Sequence, residues 1–265
     1  MAFGGRRPVA ETEAGIQARP APEGDTAAPR REDERAGLIG RLLAFVAHRR
    51  FEPGDRLPSE RELAERFGVG RNAVREAIAV LETVRMVERR PNSGIYLREV
   101  GRQGSLDALV LQAELGVPLT EAEVAEVVEL RGILELQAVR LACERRRDAD
   151  IERLDRVLAA GEATIAARGN LADRDAEFHL AVAEATGNRV LLRVVNSFYL
   201  LSRARRRHYF ADGTRAPTSQ AQHAAMRDAI VAGDADRAAA LLGQHLQGVE
   251  SYWRELLQRR ADHRA

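Results

Sequence analysis

The sequence predicts a mainly α-helical protein of two domains, a small helical unit ending in a β-hairpin followed by an all-helical bundle. Its 265 residues are 45% apolar and only 5% aromatic, and the prevalence of Ala, Leu, Arg and Glu favours helix over sheet. Apolar residues recur with helical spacing through most of the chain, and one segment alone has the pattern of a strand pair. The length suffices for two separate cores.

Composition and periodicity together predict the domain boundaries. Residues 1–34 are rich in Pro, Gly, Ala and mixed charges and are expected to form a disordered tail. Residues 35–98 hold the helical unit with its hairpin, and residues 99–105 form a short linker. Residues 106–260 form the helical bundle, in which we find no strand pattern.

The segment Leu57–Ile78 contains two short helices around a Gly-Val-Gly turn. Ser59 and Glu62 have the spacing of a capping box, which starts the first helix. Gly68 and Gly70 lie where the chain must change direction between the helices, and glycine tolerates the backbone angles this requires. The pattern is typical of a helix-turn-helix that binds double-stranded DNA.

The second helix, predicted from about Arg71 to Leu81, has a polar N-terminal face suited to reading a major groove. Arg71 and Arg75 lie one turn apart, and Asn72 lies beside them. Arginine can donate two hydrogen bonds to guanine, and asparagine can pair with the edge of adenine. The alternative is an ordinary solvated helix face, because all 41 basic residues of this chain are arginine.

A predicted β-hairpin follows this helix directly and raises the case for DNA binding. Its strands, residues 86–90 and 95–97, flank a turn that contains Asn92, Ser93 and Gly94. A hairpin in this position forms the wing of a winged helix-turn-helix. Residues 38–98 carry 12 arginines against 8 acidic residues, whereas residues 99–265 carry 23 against 25. The positive charge thus lies where DNA phosphates would be.

Four residues of the bundle have the spacing of a metal site. Asp175 and His179 are four residues apart on one predicted helix, so both can reach one ion. His223 and His245 lie nearly equidistant from a helix break at Gly233, so a helical hairpin brings their imidazoles level. Three imidazoles and a carboxylate suit a divalent transition ion, zinc or nickel first and manganese as a further candidate.

The first domain resembles the GntR family of bacterial transcription regulators. The resemblance rests on the motif at residues 58–64, on Arg71, on residues 75–77 and on Gly94. It implies that Arg61, Arg71 and Arg75 contact operator DNA and that the turn from Asn92 to Gly94 enters the adjacent minor groove. Two positions depart from the family pattern, which are Gly70 in place of Ser or Thr and Arg85 in place of Gly.

The second domain resembles the FCD effector domain of the FadR subfamily. The resemblance rests on the Asp-x-x-x-His motif, the Thr-Gly-Asn at residues 186–188, and the paired helices with His223 and His245. It implies that these four positions hold a metal ion and that a small organic acid binds beside it. Arg131 is then expected to pair with the effector carboxylate, and Asn188 to belong to the same effector site.

We therefore expect a cytoplasmic homodimeric regulator, with repression as its expected mode, that binds operator DNA and responds to a small carboxylate. The single cysteine, Cys143, is compatible with a reducing compartment, and no apolar run is long enough for a membrane span. One alternative is a metal-dependent enzyme with an accessory DNA-binding domain, although no motif places a general base. Another is a regulator whose metal ion is purely structural.

Overall fold

The computed structural model describes residues 27–117 and 119–262. Its N-terminal unit consists of α1 (Ala27–His48), α2 (Glu60–Phe67), α3 (Arg71–Thr83), β1 (Val87–Arg90) and β2 (Gly94–Leu97). The two strands pair antiparallel, with Val87 opposite Leu97 and Arg90 opposite Gly94. The predicted helix pair and hairpin are confirmed, and α3 extends two residues beyond its predicted end.

The rest of the described chain is helical. Its elements are α4 (Val100–Gln103), α5 (Leu106–Glu114), α6 (Glu121–Arg145), α7 (Asp148–Ala166), α8 (Ala172–Ala185), α9 (Arg189–Leu201), α10 (Arg203–Tyr209), α11 (Ala216–Ala232) and α12 (Ala235–Asp262). This confirms the mainly α fold class. The sequence reasoning did not predict α10, which is seven residues long and contains four arginines.

The first helix begins earlier than predicted. Residues 27–34 were expected to belong to a disordered tail, and this was wrong because α1 starts at Ala27. Alanine, arginine and glutamate in this stretch are good helix formers, and Pro29 lies in the first turn, where no hydrogen bond is lost. The remainder of the predicted tail lies outside the described residues.

The predicted linker, residues 99–105, is folded and hydrogen-bonded to the N-terminal unit. Residues 99–105 contain the short helix α4, and Ser105 then donates hydrogen bonds to the Val84 carbonyl from its N–H and its hydroxyl, at 3.2 and 3.3 Å. In α5, Ala108 packs in the core of the N-terminal unit, whereas Val110 packs with Phe198 of α9. The first turns of α5 therefore join both cores.

Separate apolar clusters pack the N-terminal unit and the helical bundle. Val74, Ile78 and Leu81 form the buried stripe of α3 and are at most 2% exposed. Burying each such side chain contributes about 1.5–3 kcal/mol. The predicted capping box at Ser59 begins α2, and a second capping box at Thr120 begins α6. In the part of the chain that the structure describes, no helix combines the length and apolarity needed to cross a membrane.

Candidate nucleic-acid interface and metal centre

The N-terminal face of α3 projects three polar side chains into solvent. Arg71, Asn72 and Arg75 are all exposed. The turn before them is fixed by Gly68, which has a φ of 65° and donates its N–H to the Ala64 carbonyl. Among the described residues, Arg71 and Asn72 have no hydrogen-bond or ion-pair partner, so both are free to contact DNA bases or phosphates.

A basic cleft of about 540 Å³ lies between α2, α3 and the hairpin. Its arginines are Arg56, Arg61, Arg71, Arg75, Arg89 and Arg90. Four of them are held by acidic neighbours. Arg89 contacts Glu60 at 3.1 Å and Glu82 at 2.8 Å, and Arg75 contacts Glu60 at 3.4 Å. Arg90 contacts Glu88 at 2.5 Å, and Arg61 contacts Glu65 at 2.9 Å. The Arg61 pair is well exposed, and such pairs contribute little, so Arg61 can exchange Glu65 for a phosphate.

The hairpin turn presents Asn92 at its tip. Asn92 is exposed and adopts a left-handed conformation with φ of 55°. The Ser93 hydroxyl lies 2.6 Å from the Tyr96 hydroxyl, so that it supports the hairpin from within. Gly94 has a φ of 135°, and a Cβ there would lie 2.8 Å from Nε of Arg56. Glycine is therefore required at this position, whatever the turn contacts.

In the bundle, the structure brings together the four residues of the predicted metal site. Asp175 and His179 lie one turn apart on α8, while His223 lies on α11 and His245 on α12. Gly233, with a φ of 73°, ends α11 and lets α12 return beside it. All four residues are buried, and one ligand atom from each lies within 4.8 Å of the others. We call this set the Asp-His cluster.

The ligand atoms of the Asp-His cluster have the spacing of a coordination shell. Oδ1 of Asp175 lies 3.9, 3.6 and 3.8 Å from Nε2 of His179, His223 and His245. Nε2 of His179 and Nε2 of His245 are 3.3 Å apart. Ligands about 2.1 Å from one zinc-like ion in tetrahedral geometry are separated by roughly 3.4 Å, so these four separations lie within about 0.5 Å of that spacing.

Contacts on the outer side of the imidazoles explain why their Nε2 atoms need a cation. Nδ1 of His179 lies 3.0 Å from Oε2 of Glu135, and Nδ1 of His245 lies 2.8 Å from Oε1 of Gln222. With a proton on each Nδ1, the facing Nε2 atoms both present lone pairs. Nε2 of His223 is buried without a hydrogen-bond partner. A divalent ion fits all three of these atoms.

Burial keeps two of the imidazoles in the form that binds metal. It lowers the pKa of His223 well below its usual value, and positive charge on His245 or His179 would lower it further. Burial likewise lowers the pKa of His245 to about 4. Both rings are therefore neutral at neutral pH, as metal ligation requires.

Sequence reasoning missed the network beside the Asp-His cluster. Nε of Arg131 donates to Oε1 of Glu135 at 2.8 Å, and Nη2 of Arg131 donates to the Tyr199 hydroxyl at 2.7 Å. The same hydroxyl donates to Oε1 of Glu135 at 2.6 Å. Burial raises the pKa of Glu135, but the charge of Arg131 and the contact with the His179 ring outweigh burial and hold that pKa well below its usual range. The i,i+4 spacing of Arg131 and Glu135 was the available signal.

A second arginine supports the cluster from α10. Nε of Arg206 lies 3.7 Å from Oδ2 of Asp175, and its Nη1 donates to the Tyr199 carbonyl at 2.6 Å. The guanidinium is buried and compensates the charge of the Asp175 carboxylate, whose Oδ1 faces the three imidazoles. Because α10 was not predicted, this contact could not be anticipated from the sequence.

Asn188, which was expected in the effector site, caps a helix in the structure. Its side-chain oxygen accepts hydrogen bonds from the N–H groups of Val190 and Leu191, at 3.0 and 3.1 Å, and so caps α9. The side chain is exposed and makes no described contact with the Asp-His cluster. This geometry makes Asn188 a helix cap and gives no support to an effector-binding role.

Comparison with known proteins assigns both halves of the chain. Residues 36–97 match the gntR family of bacterial regulatory proteins, and residues 126–248 match the FCD domain. The HTH-type transcriptional regulator LutR of Bacillus subtilis is 32% identical over 212 residues, which cover 78% of this chain and 94% of LutR. The putative L-lactate dehydrogenase operon regulatory protein of Escherichia coli is 31% identical over 232 residues, covering 85% of this chain and 88% of that protein.

Solved structures share the fold at lower sequence identity. Lar, which controls the expression of the Listeria monocytogenes agr system, aligns with a TM-score of 0.56 and 18% identity over 81% of this chain and 94% of Lar. McbR/YncC of E. coli aligns with a TM-score of 0.50 and 18% identity over 88% and 99%. The related proteins are transcription regulators and not enzymes. The chain therefore belongs to the GntR family of bacterial transcription regulators, in its FadR-type branch, with an FCD domain after the DNA-binding unit.

Proposed function

We propose that this chain is a cytoplasmic, homodimeric repressor whose affinity for operator DNA is set by a small carboxylate bound at a metal ion. The observation that carries the proposal is the buried Asp-His cluster, in which four ligand atoms lie within 4.8 Å of one another. The metal ligands are then Asp175, His179, His223 and His245. DNA contacts come from Arg61, Arg71, Asn72, Arg75 and residues 92–94.

The chemistry of the cluster favours an anionic effector. Three neutral imidazoles and one carboxylate leave a charge of about +1 on a divalent ion, and a six-coordinate ion keeps two positions open. Zinc and nickel suit imidazole best, with manganese as a further candidate. When bound, the ion would attract a carboxylate, while Arg131 and Arg206 add positive charge to the same region.

The names of relatives support both the acid and the mode of control. One relative is the L-lactate dehydrogenase operon regulatory protein and another is the galactonate operon transcriptional repressor, both of E. coli. Lactate and galactonate are small hydroxy acids. By analogy we assign this chain an organic acid as effector and repression as its mode of action.

The packing offers a route between effector site and operator. Tyr199 contacts Arg131 and Glu135, and the adjacent Phe198 packs with Val110 of α5. Ser105, one residue before α5, is hydrogen-bonded to Val84, which directly follows α3. An acid that shifts α9 would therefore bias the position of the DNA-reading helix. In a dimer, such a bias changes the spacing of two α3 helices and hence operator affinity.

The test combines a ligand screen with DNA binding. Zinc-loaded protein is screened by thermal shift against small carboxylic acids, with and without chelator, and each hit is added to a titration of DNA from upstream of the protein's own gene. We expect an acid that raises the melting temperature only in the presence of metal and that changes DNA affinity about 5- to 150-fold.

A purely structural metal is the second candidate, favoured by the pairing of Arg131 with Glu135. Under that alternative, chelation lowers the melting temperature, and no acid changes DNA affinity. A protein with no salt-dependent affinity for its upstream DNA would overturn the DNA-binding part of the proposal, because phosphate contacts make binding depend on salt.

A further inference from the structure

The arginine expected to hold the effector carboxylate already holds a carboxylate of the protein itself. Oε1 of Glu135 accepts from Nε of Arg131 at 2.8 Å and from the Tyr199 hydroxyl at 2.6 Å. The Glu135 and Arg131 side chains are only 4% and 11% exposed. A guanidinium and a phenol converging on one carboxylate oxygen is the arrangement that an acid ligand would itself require.

Arg131 can nevertheless be reached from outside the bundle. It forms part of the wall of a groove of about 650 Å³ between α6 and α12. Most of the rest of that wall is apolar, including Val128, Leu136 and Leu246, and it also carries Glu121 and Glu129. An acid that reached the Arg131 guanidinium from this groove would find its charge already paired with Glu135.

We infer that Glu135 is an internal competitor of the effector, which an incoming acid must displace from Arg131. The inference rests on the proposed effector site. Glu135 can release Arg131 without becoming isolated, because its Oε1 also accepts from the Tyr199 hydroxyl at 2.6 Å. Its Oε2 lies 3.0 Å from Nδ1 of His179 but accepts no hydrogen bond there. The competition lowers the affinity for weakly binding acids. A ligand must bind Arg131 more tightly than Glu135 does, and Glu135 loses little entropy on pairing because the fold holds it in place.

Charge balance predicts what happens when the competitor is removed. Near the cluster, Glu135 is the carboxylate that pairs with Arg131, whereas Asp175 faces both Arg206 and the imidazoles of the proposed ion site. Replacing Glu135 with glutamine leaves one buried guanidinium without a counter-charge, which is unfavourable in a dry interior. An external anion would relieve this. Glu135 is thus a positioning residue whose loss strengthens ligand binding, whereas the loss of a merely structural residue would weaken it.

The experiment compares acetate binding to three zinc-loaded, full-length proteins by calorimetry. They are the wild type, Glu135→Gln, and Glu144→Gln as a control, since Glu144 is an exposed glutamate of the same helix. We expect Glu135→Gln to bind acetate at least about tenfold more tightly than the wild type at equal zinc content. Glu144→Gln should match the wild type. Equal or weaker binding by Glu135→Gln, or binding by neither protein, overturns the inference.

A second measurement uses only the wild type, so that it decides the matter if Glu135→Gln loses zinc or fails to fold. In a crystal structure of the zinc-loaded protein soaked in acetate, we expect Arg131 to bind acetate and to lie beyond hydrogen-bonding distance of Glu135. Acetate bound with the Arg131–Glu135 pair intact, or no acetate at the site, overturns the inference. An acid that changes DNA affinity while that pair stays closed leaves the proposed function standing and removes only the competition.

Discussion

The DNA-reading face and the Asp-His cluster are built in opposite ways. Arg71, Asn72 and Arg75 lie within two turns of one helix and are exposed. The four cluster residues come from three helices and are at most 4% exposed. Charges on the exposed face interact through water and salt, whereas those of the cluster interact in a medium where an uncompensated group is costly. Substitutions on the α3 face should therefore change DNA affinity without changing stability. Substitutions in the cluster should change the stability of the protein.

The largest effect should come from removing one metal ligand. We expect zinc to stabilise the wild type by about 3–4 kcal/mol at free zinc 100 to 1,000 times its dissociation constant. His245→Gln should lose most of this gain, because three ligands hold the ion less tightly than four. The measurement is chemical denaturation with zinc and with chelator.

The control is His48→Gln, since His48 is exposed at the end of α1. It should keep the full response to zinc. If His245→Gln responded to zinc as strongly as the wild type, the cluster would not be the site. DNA affinity without effector should stay within about twofold in both variants, since neither histidine belongs to the α3 face.

The next-largest effect should be on the pH dependence of stability in the metal-free protein, which the cluster influences and the α3 face does not. Burial lowers the pKa of His245 from 6.5 to about 4. A histidine buried in its neutral form contributes stability above pH 6.5, and this contribution is lost as the pH falls toward 4. In chelator, the wild type should lose about 2 kcal/mol more than His245→Gln between pH 7 and pH 5. Urea denaturation measures these free energies. Equal losses of stability in the wild type and His245→Gln would contradict the lowered pKa of His245.

The two regions also differ in how much of them the sequence could predict. The α3 face depends on local rules, namely the capping box at Ser59, the turn at Gly68 and the spacing of Arg71 and Arg75. Each rule operates within a few residues, so the prediction reached individual side chains. The cluster geometry also followed from spacing, because the chain reverses at Gly233, which lies nearly midway in sequence between His223 and His245.

The surroundings of the cluster did not follow from spacing. Glu135 and Tyr199 meet only because α6 and α9 pack together, and their residue numbers carry no trace of that contact. Arg206 lies in α10, whose run of arginines has no apolar periodicity. Asn188 was assigned to the effector site from a resemblance, although an Asn before an apolar run is also a common helix cap. Capping was the local rule that applied.

On the exposed face, we expect a change in DNA affinity without a change in stability. Arg71→Ala should weaken binding to upstream DNA by about 1–2 kcal/mol, because one set of base or phosphate contacts is lost. Its melting temperature should stay within about 1 °C of the wild type, as Arg71 has no partner among the described residues. Fluorescence anisotropy at fixed salt measures the affinity.

Arg49→Ala is the matched control, since Arg49 is exposed and lies outside the basic cleft. It removes the same charge from the same domain. Equal weakening by both variants would mean that the domain binds DNA through its net charge, and that the α3 face has no particular role.

The smallest effect should come from Gly70, where this chain departs from the family pattern. Gly70 is the N-cap of α3 and has φ of −66° and ψ of 148°, but it offers no side chain to the helix end. Nothing lies within 4 Å of a Cβ added there, so Gly70→Ser fits without strain. Its hydroxyl should cap α3 and stabilise the domain by a few tenths of a kcal/mol.

The serine hydroxyl of Gly70→Ser also tests whether the departure from the family pattern at this position affects folding or DNA binding. If a phosphate lies near the start of α3, Gly70→Ser should tighten DNA binding by about two- to threefold, as one added hydrogen bond allows. Ser59→Ala, at the capped start of α2, is the control and should lose about 1 kcal/mol of stability. A Gly70→Ser protein that gains stability but no affinity would place the missing hydroxyl outside the DNA contact. The face would then depend on Arg71, Asn72 and Arg75 alone.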